Sequence, residues 1–355
     1  MLSSGELRMS LPMAANQGKG IACAGNWTVD LVKVIDCYPR ENGLAEVVEE
    51  AMGGGGCAHN VILSLARFDA ALDLYAVGLL GDDPNGDFLR AQCSQFPNIN
   101  TSQLRRTNVE RTSYTHVYSV KGTARRTFFH YRGANRLFGP EAVGLDDLPV
   151  VLFHLGYPLL LDAMDQQDCE YKTVGARFLR DVQQRGIKTS IDLVSLDSDR
   201  YGQIVSPALE YTNFCIINDF EAEKVSGLPL RAEGKILPAN LKKASSAIFE
   251  YGVNDLVVVH FPEGAYLLAR DRSEIIQPSL QLPDNFIAGS TGAGDSFCAG
   301  MLYGIHQGWS YDKTLRFAVC AGGMNLSDVT TTGGIRAWNE VFGMEGRFPY
   351  RKDLS

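Results

Sequence analysis

The residues of this chain best placed to do chemistry lie in Ala288-Gly289-Ser290-Thr291-Gly292-Ala293-Gly294-Asp295-Ser296-Phe297. A helical run follows, with Phe297, Met301, Leu302 and Ile305 on one face. Small residues at 292–294 that open a helix leave several backbone N–H groups unpaired and aimed at one spot. That makes an anion site, reinforced by the helix dipole. A phosphate in transfer suits it, and Asp295 in the first turn could take the proton from an attacking hydroxyl as a general base. The same carboxylate could simply cap its helix, and the short G-A-G-D spacing does not separate the two.

Two further motifs carry polar groups at useful spacings. In Asn218-Asp219-Phe220-Glu221-Ala222-Glu223, which follows the strand-like NFCIIN, Asn218 and Glu221 are three apart. At a helix start both face one way and could orient a hydrated Mg²⁺ near phosphates, or could only complement the helix dipole. In Gly53-Gly54-Gly55-Gly56-Cys57-Ala58-His59-Asn60 the glycines admit a ligand or another backbone closely, and Asn60 can both donate to and accept from a sugar hydroxyl. This stretch also fits the loose dinucleotide pattern G-x-G-x-x-A. The preceding EVVEEAM is a poor buried strand, however, and no ribose-binding carboxylate follows convincingly. No G-x-x-x-x-G-K-[ST] occurs, so a nucleotide would be held without a Walker lysine.

Something must position these residues, and the rest of the chain supplies it. Apolar, β-branched runs at 21–25, 73–81, 150–156, 188–194, 213–218 and 255–260 alternate with helical periods at 60–68, 170–185, 238–250, 293–307 and 311–327. Strands that are apolar throughout suit a parallel sheet buried on both faces. The pattern therefore predicts a doubly wound, mostly parallel α/β sheet with its ligands beyond the carboxyl ends of the strands. Residues 112–135 break the alternation: they read as a hairpin turning at Lys121-Gly122, with Tyr114, His116, Tyr118 and Val120 on one face. Such an insert suits a lid, an oligomer contact or a plain edge hairpin. The expected organisation is a loose tail at 1–17, one α/β domain at 18–345 with a small β lid from about 29–48 and 112–135, and a C-terminal tail at 346–355.

Composition narrows the function classes. A net charge of −8 across 355 residues, with no Lys/Arg block longer than two, argues against nucleic-acid or anionic-membrane partners, though a local basic pocket stays open. The eight cysteines form no C-x-x-C pair and read as reduced core residues. The first residues lack a signal-peptide core and no apolar run approaches 18 residues, so a cytoplasmic protein is expected.

In this order and at these distances, the motifs resemble those of the ribokinase-like (PfkB) carbohydrate kinase family, from about Gly20 to Gly334. GAGDSFCAG at 292–300 is similar to the family's C-terminal signature, and GGGGCAHN to its N-terminal Gly-Gly-x-x-x-Asn signature with Gly55, Gly56 and Asn60 in register. GLLGDDPNGDFL at 78–89 and NDFE resemble its strand-to-helix segment and its Asn-x-x-Glu magnesium motif. The resemblance implies ATP with Mg²⁺ and transfer of the γ-phosphate to a sugar or nucleoside hydroxyl. Asp295 would be the base, Gly292, Ala293 and Gly294 the anion hole, and Asn218 and Glu221 the metal motif acting through water. Asn26 and Asp30, from GNWTVD, would face the sugar beside Gly55, Gly56 and Asn60. Arg126, Tyr131 and Arg132 would reach over it from the lid, where they could hold the carboxylate of an acidic sugar, unless Arg125, Arg126 and Arg132 lie on the solvated face. On the nucleotide side the resemblance implies Asn218, Thr291, Gly292 and Gly294, the turn Phe261-Pro262-Glu263-Gly264, and an adenine wall at Ala321, Gly322 and Gly323 with Asn325 at its edge. Helix packing explains those small residues equally well.

The chain also departs from the family pattern. Gly289 stands where the family usually has Asp, which puts activation by a monovalent cation in doubt. Of the usual Asp-x-Asn-x-Arg segment only Asp192 remains, in Asp192-Leu193-Val194-Ser195, as a pocket candidate. The family's lids often pair, so a homodimer through the lid is expected. The rivals to a sugar kinase are a nucleoside kinase, kept open by Trp27, Phe129 and Tyr131, a sugar-binding or regulatory protein without turnover, and, more distantly, a dehydrogenase.

Overall fold

A computed structural model describes residues 18–123, 126–352 and 354. The expected tail at 1–17 and any role of Arg125 lie outside them. The chain opens with β1 (Gly20–Gly25), β2 (Thr28–Ile35), β3 (Val47–Gly55), α1 (Cys57–Phe68), β4 (Leu74–Gly81) and α2 (Pro84–Ser94). Short β5 (Ile99–Asn100) and β6 (Leu104–Thr107) precede the hairpin of β7 (Ser113–Val120) and β8 (Arg126–Tyr131). Then come β9 (Val150–Gly156), the small pair β10 (Gln167–Asp168) and β11 (Lys172–Thr173), α3 (Val174–Gln184), β12 (Lys188–Asp192), α4 (Tyr201–Leu209), β13 (Phe214–Asn218) and α5 (Asp219–Ser226). The small pair β14 (Arg231–Ala232) and β15 (Lys235–Ile236) leads into α6 (Pro238–Glu250), the antiparallel run β16 (Leu256–Phe261), β17 (Gly264–Ala269) and β18 (Glu274–Pro278), and finally α7 (Ala293–His306), α8 (Tyr311–Asn325) and α9 (Trp338–Phe342).

The main sheet runs β18-β17-β16-β13-β12-β9-β1-β4-β5, with β6 also on β4, and is parallel from β16 to its far edge. All six residues of β1 are buried because helices cover both faces of the sheet, which is why its sequence is apolar throughout rather than alternating. Its side chains split between two core layers. Ile21 and Cys23 pack with α1, α7 and α8, whereas Ala22 and Ala24 pack with α3, α4 and α6. The chain winds outward from β1 in one direction through β4 and in the other through β9, β12, β13 and β16. The order therefore reverses between β1 and β9, where an open α/β sheet leaves a crevice at the strands' carboxyl ends.

A second sheet, β3-β2-β7-β8, stands over that crevice. It uses more of the chain than the expected lid segments. Val47–Gly55 is a lid strand with an exposed start, so EVVEEAM is extended without being buried, and Gly53 to Gly55 close a strand rather than form a free loop. Asp30 pairs with Thr115 and Thr115 with His130, so these side chains share the inner face. Residues 346–352 do not form a tail: Gln281 N donates to Pro349 O at 2.8 Å and Arg351 N to Ser279 O at 2.9 Å, tying the segment to the body. Six of the cysteines are buried, but Cys37 and Cys169 are exposed, against the all-core expectation. Among the described residues no helix is long and apolar enough to cross a membrane.

Candidate active site

A cavity of about 620 Å³ lies at the switch point, between the carboxyl ends of the central strands, the inner face of the lid and the start of α7. The α7 opening is set by Gly292, whose φ of +80° is left-handed and whose missing Cβ lets the Thr331 carbonyl approach. The first-turn amides that follow have no intrahelical acceptor and border the cavity through Gly292 and Gly294. Gly56, with φ +86°, similarly starts α1 against the Asn26 backbone, so both helices begin at the cavity.

Asp295 is buried and held from two sides. Asn60 Nδ2 donates to its Oδ2 at 2.7 Å, and the Tyr157 hydroxyl donates to its Oδ1 at 3.3 Å. Burial raises its pKa above the ordinary carboxylate value, while the bonds from Asn60 and Tyr157 pull it back. The carboxylate does not cap its helix, because the residue before α7 is Gly292 and no side chain caps it. Three more acids share the cavity. Asp30 is pushed to about 7 by burial, against the Thr115 hydrogen bond, with Asp295 adding repulsion. Glu221 is pushed to about 8 by burial, and Asp192 is also raised, by burial first and then by Asp295. Burial holds His260 near 4 and His130 near 4, so the cavity's imidazoles are neutral at pH 7.

Asn218 and Glu221 meet as the spacing requires, but chiefly bonded to each other. The pair makes a capping box: Asn218 Oδ1 accepts from Glu221 N at 2.9 Å and Glu221 Oε2 accepts from Asn218 N at 3.0 Å. Glu221 Oε1 accepts from Asn218 Nδ2 and from Ser195 Oγ, at 2.8 and 2.9 Å. The helix-start reading is thus realised, and the pair also borders the cavity. A cation could be met there through water at Oε2, whose protein donor is the Asn218 amide, whereas direct ligation would break the box.

The structure brings Asn26, Asp30, Gly56, Asn60, Arg132 and Asp192 to the same cavity as Asp295 and Thr291. Asn26 Nδ2 is buried without a hydrogen-bond partner there. Gly55 sits behind Asp30, whose carboxylate occupies the space a Cβ would need. Arg126 reaches Thr291 Oγ1 and so bridges the lid to the anion loop rather than to the sugar side. Arg132 pairs with Asp162.

Other expected contacts are corrected. Tyr131 faces away from the cavity: its hydroxyl donates to Glu110 Oε2 at 2.6 Å and its ring stacks on Tyr114. Strand alternation puts Phe128 and His130 inward instead. Trp27 is buried, its Nε1 donating to Val77 O at 2.9 Å, and Phe129 lies on the outer lid face beside Tyr118. Phe261 is a core residue, and Glu263 is held by Arg231 at 2.8 Å. Gly264 is required by Gln277 O, which leaves no room for a Cβ in the β17–β18 pairing. Gly322 admits the Ala293 carbonyl and Phe297 in α7–α8 packing, and neither Ala321 nor Gly323 borders the cavity. Asn325 is fully buried and donates to Thr291 O at 2.9 Å, supporting the anion loop from behind.

Several cavity residues escaped the sequence reading. Tyr157 directly follows β9, and the rule that ligands gather at strand ends could have flagged it; its φ of +60° could not be read in advance. His260 ends the apolar run DLVVVH, and Thr28 and Thr115 sit on the lid's inner face. Cys57 and His154 belong to a buried cluster with Asp192.

Residues 21–338 match the family described as pfkB family carbohydrate kinase. A ribokinase of Arabidopsis thaliana is 23% identical over 308 residues, covering 86% of this chain and 75% of the relative. The structure of Arabidopsis thaliana ribokinase complexed with ribose and ATP superposes with a TM-score of 0.76 at 18% identity, covering 92% of this chain and 98% of that one. A fructokinase with bound ATP from Xylella fastidiosa gives 0.72 at 20% identity, covering 93% and 99%. At these identities the structural likeness establishes the fold.

Proposed function

The chain belongs to the pfkB family of carbohydrate kinases, and we propose that it moves the γ-phosphate of ATP to a hydroxyl of a neutral sugar, with Asp295 as general base. The observation that carries this is Asp295 buried at the start of α7 and held by Asn60 at 2.7 Å, so that base and anion site adjoin in one cavity.

In the reaction Asp295 takes the proton from the acceptor hydroxyl as that oxygen forms its bond to phosphorus, and the bond from phosphorus to the β-phosphate oxygen breaks to release ADP. Asn60 and Tyr157 hold the two carboxylate oxygens, leaving the base oriented before the acceptor arrives. A base raised above the ordinary carboxylate range is better matched to neutral pH than a solvent-exposed Asp. The α7 amides stabilise charge on the transferred group without having to reorganise. Mg²⁺, when bound, supplies charge neutralisation at the nucleotide phosphates. Asn218 and Glu221 would meet it through water, as their committed hydrogen bonds allow.

A neutral acceptor is favoured by the charges around it. Asp30 and Asp192 face the cavity with Asp295, Tyr131 is turned away, and Arg132 is neutralised by Asp162. Arg126 reaches Thr291 on the anion side and Arg132 is paired, whereas on the acceptor side the acids and the unpartnered Asn26 Nδ2 suit hydroxyls. The nucleoside reading loses Trp27, Phe129 and Tyr131, and the rings that do border the cavity include Phe128 on the inner lid face and Tyr157 after β9. The test is ADP release with a panel of neutral pentoses and hexoses, sugar acids and nucleosides. Turnover on neutral sugars at the highest kcat/KM supports the proposal, and preference for a sugar acid or a nucleoside overturns it. We also propose that two lids pair through the outer face carrying Met52 and Phe129, about half exposed at 51% and 53%. A Phe129→Asp variant that still sediments as a dimer refutes that contact.

A further inference from the structure

Beneath the acceptor cavity, four elements bring Asp192 together with two thiols and an imidazole that the kinase chemistry does not use. Cys57 opens α1, Cys298 lies on α7, His154 is in β9 and Asp192 ends β12. Cys57 Sγ is 3.2 Å from His154 Nε2 and 2.8 Å from Asp192 Oδ2. His154 Nε2 is 3.8 Å from Asp192 Oδ1 and 3.9 Å from Cys298 Sγ. Donors around a tetrahedral zinc stand about 3.4–3.8 Å apart, from metal–sulfur bonds of about 2.3 Å and metal–nitrogen bonds of about 2.0–2.1 Å. Cys57, His154 and Asp192 therefore stand close enough to share one ion, their donor atoms all within 4.8 Å of one another, whereas Cys298 approaches only His154 and lies outside that group.

The surroundings favour ligation as well as hydrogen bonding. His154 Nδ1 lies 3.1 Å from Ser190 Oγ, its cross-strand neighbour, and in the tautomer that donates Nδ1–H to that hydroxyl the Nε2 lone pair points into the cluster. Gly156 lets the cluster pack directly on the backbone: a Cβ on it would stand 2.5 Å from Cys57 Sγ and 3.1 Å from Asp192 Oδ1. Both cysteines and His154 are buried, so no bulk water competes for the donors. Cys298 and Asp192 also border the acceptor cavity, which provides an entry path. One sulfur, one imidazole and one carboxylate form a three-donor set with a fourth position left for water, which suits zinc over magnesium or calcium.

We propose that Cys57, His154 and Asp192 form a zinc site in the floor of the acceptor cavity. Loading it commits the Asp192 carboxylate to the metal, so zinc and acceptor compete for it. That consequence rests on Asp192 meeting the acceptor; the binding itself does not.

The two claims are tested separately. Co²⁺ is added to the full-length chain in a Cys37→Ser/Cys169→Ser background, which removes the exposed thiols. The expected result is one metal per chain with a thiolate-to-cobalt charge-transfer band, displaced by Zn²⁺. Cys57→Ser and His154→Gln should each weaken binding by about 10–100-fold or more, while circular dichroism of the metal-free variants confirms that they fold. If a variant does not fold, Asp192→Asn takes its place. Absence of the band in the parent, or equal binding in folded variants, overturns the site and leaves a closed hydrogen-bond network. With the site established, Zn²⁺ should raise the acceptor KM and leave the ATP KM unchanged. A zinc-insensitive acceptor KM refutes only the competition.

Discussion

Replacing Asn60 by Leu tests the base assignment most directly. Leu branches at Cγ as Asn does and favours the helix, but it removes the Nδ2 donor that meets Asp295 Oδ2 at 2.7 Å. A hydrogen bond to a charged group is worth about 1.5–3 kcal/mol, and one pKa unit corresponds to about 1.36 kcal/mol. The donor stabilises the ionised form, so its loss must raise the Asp295 pKa further. Catalysis needs the carboxylate, so the acid limb of kcat/KM against pH should move upward, with the rate recovering on the alkaline side. If Asn60 served only to bind a sugar hydroxyl, the variant would raise KM equally at every pH. An acid limb that stays in place, or moves down, refutes the assignment of Asp295 as the base oriented by Asn60.

Other consequences are equally concrete. Asp295→Asn should lower kcat by about 10²–10⁴-fold and yet raise the thermal midpoint by a few degrees at pH 7–8. Its folded pKa lies above its unfolded value, so the native protein is relatively less stable once pH rises through the folded pKa. The gap between the two proteins must therefore close below about pH 4, where aspartate is protonated in both states, and a gap that persists there refutes the account. Gly292→Ala forces a left-handed Ala against the Thr331 carbonyl and should cut kcat on the order of 10²-fold by displacing the first-turn amides; unchanged single-turnover rates would speak against the anion hole. Tyr131→Phe should leave the acceptor KM unaltered while His130→Ala raises it, and steady-state kinetics on the best acceptor decide.

What could be read from the sequence was whatever depends on short range. The apolar runs gave six of the central strands to within about two residues, because a strand buried on both faces has no freedom to be polar. GAGDSF placed the α7 start and Asp295 because a helix opening and its acid are local events. The lid failed where register decides. Tyr131 and His130 are adjacent in sequence, but strand parity turns one outward to Glu110 and the other inward to Thr115, and nothing in RRTFFHYRGAN states which face meets the cavity. Glu263 failed because its partner, Arg231, comes from a hairpin 32 residues away in sequence.

Glycine shows the same limit from another side. The glycine motifs suggested bare backbone at a ligand, yet four of the glycines singled out are explained by what approaches them from elsewhere in the fold. At 292 it is the Thr331 carbonyl, at 56 the Asn26 backbone, at 264 Gln277 and at 322 the Ala293 carbonyl. Only the first two also take positive φ, and only those two border the cavity. The local chain therefore announces that a close approach occurs, and the long-range fold decides whether the neighbour is a ligand's phosphate or another helix. The Cys57–His154–Asp192 cluster follows from the same reasoning. Its members are 97 and 38 residues apart in sequence, each reads as a core residue by itself, and only the meeting of β9, β12 and α1 at the switch point gives them a shared chemistry.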